Sequence, residues 1–161
     1  MSAPTPTASF SCLKFTSSGS NRKASNRGIS FLVGFEIEFT LLKSTLPEPE
    51  PISEHSCSAA SALYCGSTGA IVMEEIVGAL QAGGIELQIY HAEDALGQFE
   101  IVTGPLSPLQ AADALVYSRQ VIYNIANKHN LRATFAPRVF KHSCTSRCTI
   151  MPNLVLLTGY V

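Results

Sequence analysis

From Ile29 to Leu42 the chain reads ISFLVGFEIEFTLL, and after Gly34 its positions alternate: Phe35, Ile37 and Phe39 fall on one face, Glu36, Glu38 and Thr40 on the other. This pattern predicts a half-buried strand. Residues 43–58 interleave Pro47, Pro49 and Pro51 with Glu48, Glu50 and Glu54, which forbids helix and predicts a solvated loop. Over 70–82, AIVMEEIVGALQA sets Ile71, Met73, Ile76, Val77 and Leu80 near helical spacing, with Glu74 and Glu75 facing water and Gly83 and Gly84 ending the helix. Residues 85–91 and 98–103 read as two strands joined by the turn AEDALG, a hairpin. Ser107 is the expected N-cap of a helix with Pro108 at its first position, carrying a helical period through Leu115 and Ile122 to about His129. LRATFAPRVF returns as a strand ended by Pro137, after which residues 141–161 lose their pattern.

Length narrows the organisation. A chain of 161 residues fits one domain, but only about 90 residues carry regular periodicity, which is marginal for an independent enzyme. Residues 1–28 hold Lys14, Arg22, Lys23 and Arg27 without an acid, in a Ser-, Thr- and Asn-rich background that cannot offset the entropy of ordering it. The expectation is a disordered tail; the composition also fits a mitochondrial transit peptide, although no Arg-bearing amphipathic helix stands out. Removing those four bases from a total of 11 leaves seven against 12 acids, so the net charge of −1 hides an acidic body. An acidic body without an aromatic-basic stripe argues against nucleic acid as the main ligand.

Five cysteines, at 12, 57, 65, 144 and 148, show no paired metal spacing, which suggests a reduced thiol set and a cytoplasmic protein. His142, Cys144 and Cys148 lack a fourth ligand with usable spacing. No apolar run approaches the roughly 18 residues of a membrane span, so no membrane is expected.

The chemistry concentrates in GFEIEF at 34–39 and HAEDALGQFEIVTGP at 91–105. Glu36 and Glu38, two apart in a strand, share a face and lie roughly 6–7 Å apart along it. Glu93 and Glu100 bracket the turn that contains Gly97, and Gln98 shares the face of Glu100. If the two polar faces meet, they line one cleft. Carboxylates gathered there without a cation would repel by about 4 kcal/mol per pair at ~4 Å and an effective dielectric near 20. A divalent cation removes that penalty, and all-oxygen ligands favour Mg²⁺ or Mn²⁺ over zinc. His91 can join them as ligand or base, or be an ordinary strand-end histidine; Asp94 reads as turn chemistry. Taken singly, each acid is more often a solvated surface side chain, and only the linked set points to a cation.

The ordered series GFEIEF (34–39), GGIELQIYHAEDALGQFEI (83–101), AAD (111–113) and IANKHNLRATFAPR (125–138) resembles the catalytic domain of glutamine synthetase, in its eukaryotic and fungal glutamine-synthetase-like forms. The resemblance covers roughly 34–142 and implies an α+β fold: a curved, mainly antiparallel sheet backed by helices, lining a funnel with ATP at one end and glutamate at the other. It also implies that Glu38, Glu93 and Glu100 hold the metal nearer glutamate and ammonia, and that Glu36 serves a second metal at the ATP phosphates. The implied reaction is ATP-dependent amide formation between the γ-carboxylate of glutamate and ammonia or an amine, with Mg²⁺ or Mn²⁺ neutralising the transferring phosphoryl group.

The expected division is a tail at 1–28, a partial catalytic domain at 29–142 and a divergent tail at 143–161. Departures from the family are plain. Only low-pattern sequence precedes Phe31, where the family has a small β-grasp domain. After KHSC the chain reads TSRCTIMPNLVLLTGYV in place of a Gly-rich stretch, a metal-binding histidine and the segment that grips ATP and glutamate. Arg138 and Val139 stand where the family often has Lys-Pro. The expectation is a truncated chain, inactive alone. The alternatives are a non-catalytic interaction or regulatory partner that forms an oligomer with full-length relatives, and a plain acidic α+β binding module.

Overall fold

A computed structural model describes residues 26, 29–53, 63–136, 139–140 and 153–160. The expected tail at 1–28, the His142/Cys144/Cys148 tract and Arg138 lie outside them, apart from the single residue Asn26. The long strand β1 (Ile29–Ser44) is the axis of a six-stranded antiparallel sheet. One edge of β1 pairs with β4 (Gln98–Thr103) and then with the short β2 (Glu50–Pro51), while β3 (Leu87–Ala92) adds outside β4. The other edge takes β5 (Arg132–Thr134) and β6 (Asn153–Tyr160).

Alternation decides which face is covered. Ile37, Phe39, Leu41, Phe99 and Ile101 are buried with Val72, Met73, Ile76 and Leu80 of α1 (Thr68–Ala82) and Leu115, Ile122 and Ile125 of α2 (Pro108–Lys128). Fully burying each such large side chain contributes about 1.5–3 kcal/mol. Phe135 extends this core: its ring lies 6.0 Å from that of Phe39 and 5.1 Å, edge-on, from Tyr123, with the Arg119 guanidinium 4.3 Å over its centre. With the apolar side of the sheet covered by helices, Glu36, Glu38, Gln98 and Glu100 are left on the opposite side.

Both helices end by one device. Gly84, at φ +80°, follows the α1 C-cap, with Ile85 N–H donating to Leu80 O and Gly84 N–H to Gln81 O. Asn130, at φ 57°, repeats this after α2, with Leu131 bonded to Ala126 and Asn130 to Asn127. Ser67 caps α1 by accepting from the Ala70 amide at 3.1 Å. Ser107 caps α2 by position, with Pro108 next, but its hydroxyl bonds Gln110 rather than the helix backbone.

Several elements depart from the sequence reading. Glu75 does not simply face water: it receives Lys128 at 2.5 Å and His129 at 2.7 Å, tying α1 to the end of α2 and holding its carboxyl below the usual range through those two bonds. The proline loop contributes β2, because Ile52 N–H reaches Leu41 O. Strand β5 stops at Thr134, whose hydroxyl accepts from the Ala136 amide. Residues 153–160, given no element by their pattern, pair with 29–36 because β1 presents a second free edge there. Among the described residues, no helix is long and apolar enough to cross a membrane.

Candidate metal centre

Register brings the carboxylates together. In the β1–β4 pair Glu38 lies directly opposite Glu100, and in the β3–β4 pair His91 lies opposite Glu100, so the three form a row across the sheet. Glu36 sits two positions along β1 on the same face, opposite Val102. Glu93 enters from the β3–β4 turn, where its amide donates to Gln98 O at 2.9 Å.

That turn is rigidly specified. Gly97 adopts φ +67°, and its carbonyl accepts from Leu41 N–H at 2.8 Å, so the turn is tied to β1. A Cβ at Gly97 would meet Leu41 O at 2.8 Å, which makes glycine a requirement of the close approach. Gln98, only 3% exposed, bridges the two halves: its Oε1 accepts from Ala95 N–H at 3.0 Å and its Nε2 donates to Glu38 Oε2 at 2.8 Å.

The electrostatics follow from crowding. Glu38 is pushed up to about 7 from an ordinary 4.5, chiefly by burial, then by Glu100, Glu93 and Glu36, with the Gln98 bond acting in the opposite direction. Glu100, 8% exposed, is also raised by burial and then by Glu36 and Glu93, partly offset by His91. Glu38 and Glu100, held at a cost to their ionised forms, together with the neighbouring Glu36 and Glu93, fit the donor set of a divalent cation. His91, Glu93 and Glu100 each offer a ligand atom within 4.8 Å of the others. Glu38 stands beside this group, held by Gln98.

All four glutamates singled out from sequence therefore share one region, with Glu36 furthest along β1. From sequence alone His91 is open between ligand and bystander, and Gln98 has a face but no assigned bond. The signals were present: His91 and Glu93 are two apart, as are Gln98 and Glu100.

Residues 19–151 match the family model described as glutamine synthetase, catalytic domain. The chain belongs to the glutamine synthetase family. It is 39% identical over 125 residues to the fluG protein of Emericella nidulans, covering 74% of this chain and 14% of that one. It is 30% identical over 131 residues to type-1 glutamine synthetase 1 of Dictyostelium discoideum, covering 75% of this chain and 26% of that one. The solved structure of apo GmaS superposes with a TM-score of 0.70 at 25% identity, covering 80% of this chain and 31% of that one. Plasmodium falciparum glutamine synthetase shares the fold, with a TM-score of 0.64 at 21% identity over 80% of this chain and 31% of that one. The chain thus spans less than a third of the length of each of these relatives, and the glutamine synthetase part it carries is the helix-backed antiparallel sheet.

Proposed function

We propose that this chain carries the metal-holding part of a glutamine-synthetase-type ligase, an enzyme class that joins the γ-carboxylate of glutamate to ammonia or an amine at the expense of ATP. The observation that carries the reading is the facing pair Glu38 and Glu100, joined by Glu93 from a turn locked to β1. In this proposal Glu38, Glu93 and Glu100 hold one Mg²⁺ or Mn²⁺, and Glu36 reaches toward a second at the ATP phosphates. A bound divalent cation would supply charge neutralisation at the phosphoryl group in transfer. Gln98 would keep one oxygen of Glu38 engaged and aim the other. The sheet and its two helices would keep the carboxylates fixed, which preserves their geometry between substrate-free and loaded forms.

We further propose that the chain alone gives no ligase turnover. Among the described residues, Lys43 pairs with Glu50, Arg119 stacks on Phe135, Lys128 pairs with Glu75 and Arg132 bonds Asn127, so each of these cations is committed away from the carboxylate face. A cytoplasmic location belongs to the same reading, supported by the exposed free thiol of Cys65. The test is a Mn²⁺ titration of the purified chain, with and without Glu100→Gln, followed by an ATP-, glutamate- and ammonia-dependent amide assay. Saturable Mn²⁺ binding lost in the variant, with no amide product, is the expected result. Absence of binding would refute the metal role, and turnover would refute the inactivity.

A second reading, a non-catalytic partner of full-length relatives, is favoured by β3. This strand ends the β2-β1-β4-β3 path and leaves Ile89 and Tyr90 53% and 40% exposed. Mixed oligomers formed on co-expression with a full-length relative, and lost on Ile89→Lys, would support it.

A further inference from the structure

We propose that the outer edge of β6 (Asn153–Tyr160) is a docking surface for a second copy of this chain, the two β6 strands pairing antiparallel across a twofold axis to join two six-stranded sheets into one. Strand β6 supplies none of the four carboxylates, so this contact is independent of the metal-holding reading. It runs antiparallel to β1 from Asn153 opposite Glu36 to Tyr160 opposite Ile29, and among the described residues it pairs with β1 alone. Its outer row of backbone N–H and C=O groups is left for water or for another strand.

Among the described residues, the other outer strands of the sheet are blunted. Strand β2 has two residues, one of them Pro51, and joins β1 through a register shift between Leu42 and Ser44. Strand β5 has three residues and begins with Arg132. Strand β3 is interrupted by a register shift between Leu87 and Ile89. Shortness, proline, charge and bulges are the devices that keep sheet edges from pairing with other chains. Strand β6 has none of them: it is eight residues long, keeps one register against β1 throughout, and reads NLVLLTGY, with no proline and no Asp, Glu, Lys, Arg or His.

Charge singles out a second copy as the occupant. Outside residues 1–28 the chain carries 12 acids against seven bases, so two copies can meet closely only along a stretch that sets no like charges opposite one another, and 153–160 is such a stretch. A basic partner would find no acid on this strand to pair with. A twofold axis normal to the sheet reverses the strand direction and keeps both helix layers on one side, so the covered faces of the two sheets stay aligned. At about 3.4 Å per residue, eight residues give an edge of about 27 Å. That is a contact at the small end of specific interfaces, held mainly by main-chain hydrogen bonds, so the dimer should form and dissociate with concentration.

The experiment is analytical ultracentrifugation of the full chain over a wide concentration range, in which the wild type should pass from monomer to dimer. Leu157 stands opposite Leu32, which is 41% exposed, so the substitutions Leu157→Lys and Leu157→Glu place like charges across the twofold, and each variant should stay monomeric. An equimolar mixture of the two should recover the dimer, which only folded chains can do. Amide hydrogen exchange at 153–160 should slow as the wild type is concentrated, a reading that needs no variant. A wild type that is monomeric throughout, or exchange at 153–160 that ignores concentration, would overturn the proposal. So would a dimer that survives both Leu157 substitutions, and one that is also lost on Ile89→Lys would place the contact on β3 instead.

Discussion

Replacing Glu38 by Gln should stabilise the metal-free protein at pH 8, although it removes a charged group from the centre of the site. The folded protein raises the Glu38 carboxyl from an ordinary 4.5 to about 7, mostly by burial and by Glu100, Glu93 and Glu36. At about 1.4 kcal/mol per tenfold change in proton affinity, the ionised form costs the fold at most about 3.5 kcal/mol. Solvent reaches part of this side chain, so about 1–2 kcal/mol is the working expectation. The direction with pH follows from linkage. The fold favours the protonated carboxyl, so the stability Glu38 contributes is fully present below 4.5 and is lost as pH rises through about 7.

Glutamine keeps the shape, cannot ionise, and can still accept the bond from Gln98 Nε2. Urea unfolding in EDTA at pH 5, 6, 7 and 8 should therefore show the variant gaining on wild type as pH rises, by about 1–2 kcal/mol between the extremes. Adding Mn²⁺ at pH 8 should reverse the order, since a cation relieves the repulsion only where the charge exists. A stability difference independent of pH in EDTA would refute the claim that these carboxylates are crowded at a cost.

Gly97→Ala should lose about 2–3 kcal/mol in thermal or urea unfolding, because it combines a positive φ with a Cβ set 2.8 Å from the Leu41 carbonyl oxygen. Gln98→Leu should weaken Mn²⁺ binding about tenfold by calorimetry, since it removes the donor that orients Glu38 and frees the Ala95 amide. Ser118→Ala should leave stability unchanged or raise it by about 1 kcal/mol, because the Ser118 hydroxyl is fully buried in α2 without a hydrogen-bond partner.

The sequence disclosed what is periodic within one element and withheld what depends on register between elements. Alternation over 34–40 named the buried face of β1, and the helical periods named α1 and α2 with their glycine and Ser-Pro boundaries. Nothing local says that Glu38 should face Glu100, since shifting β4 by one residue would turn Phe99 and Ile101 away from the helices. The register is therefore fixed by the apolar face, and the carboxylate row is its consequence on the other side. Glu75 illustrates the complementary blindness: its partners Lys128 and His129 lie 53 and 54 positions away, beyond any helical period. Strand β6 was hidden because NLVLLTGY lacks alternation, and pairing along 29–36 needs only backbone groups.

The same reasoning orders the residues by how a substitution would travel. Phe39 and Phe99, rings 6.2 Å apart on the covered face, set the register that brings Glu38 opposite Glu100. Truncating Phe99 would loosen that register and spread the carboxylates, so metal affinity would fall together with stability. A change confined to the polar face, such as Glu38→Gln, should separate the two, lowering affinity while raising metal-free stability. That opposition is what distinguishes a face built around a cation from one whose glutamates simply meet water, because solvated glutamates would give neither the gain nor the loss.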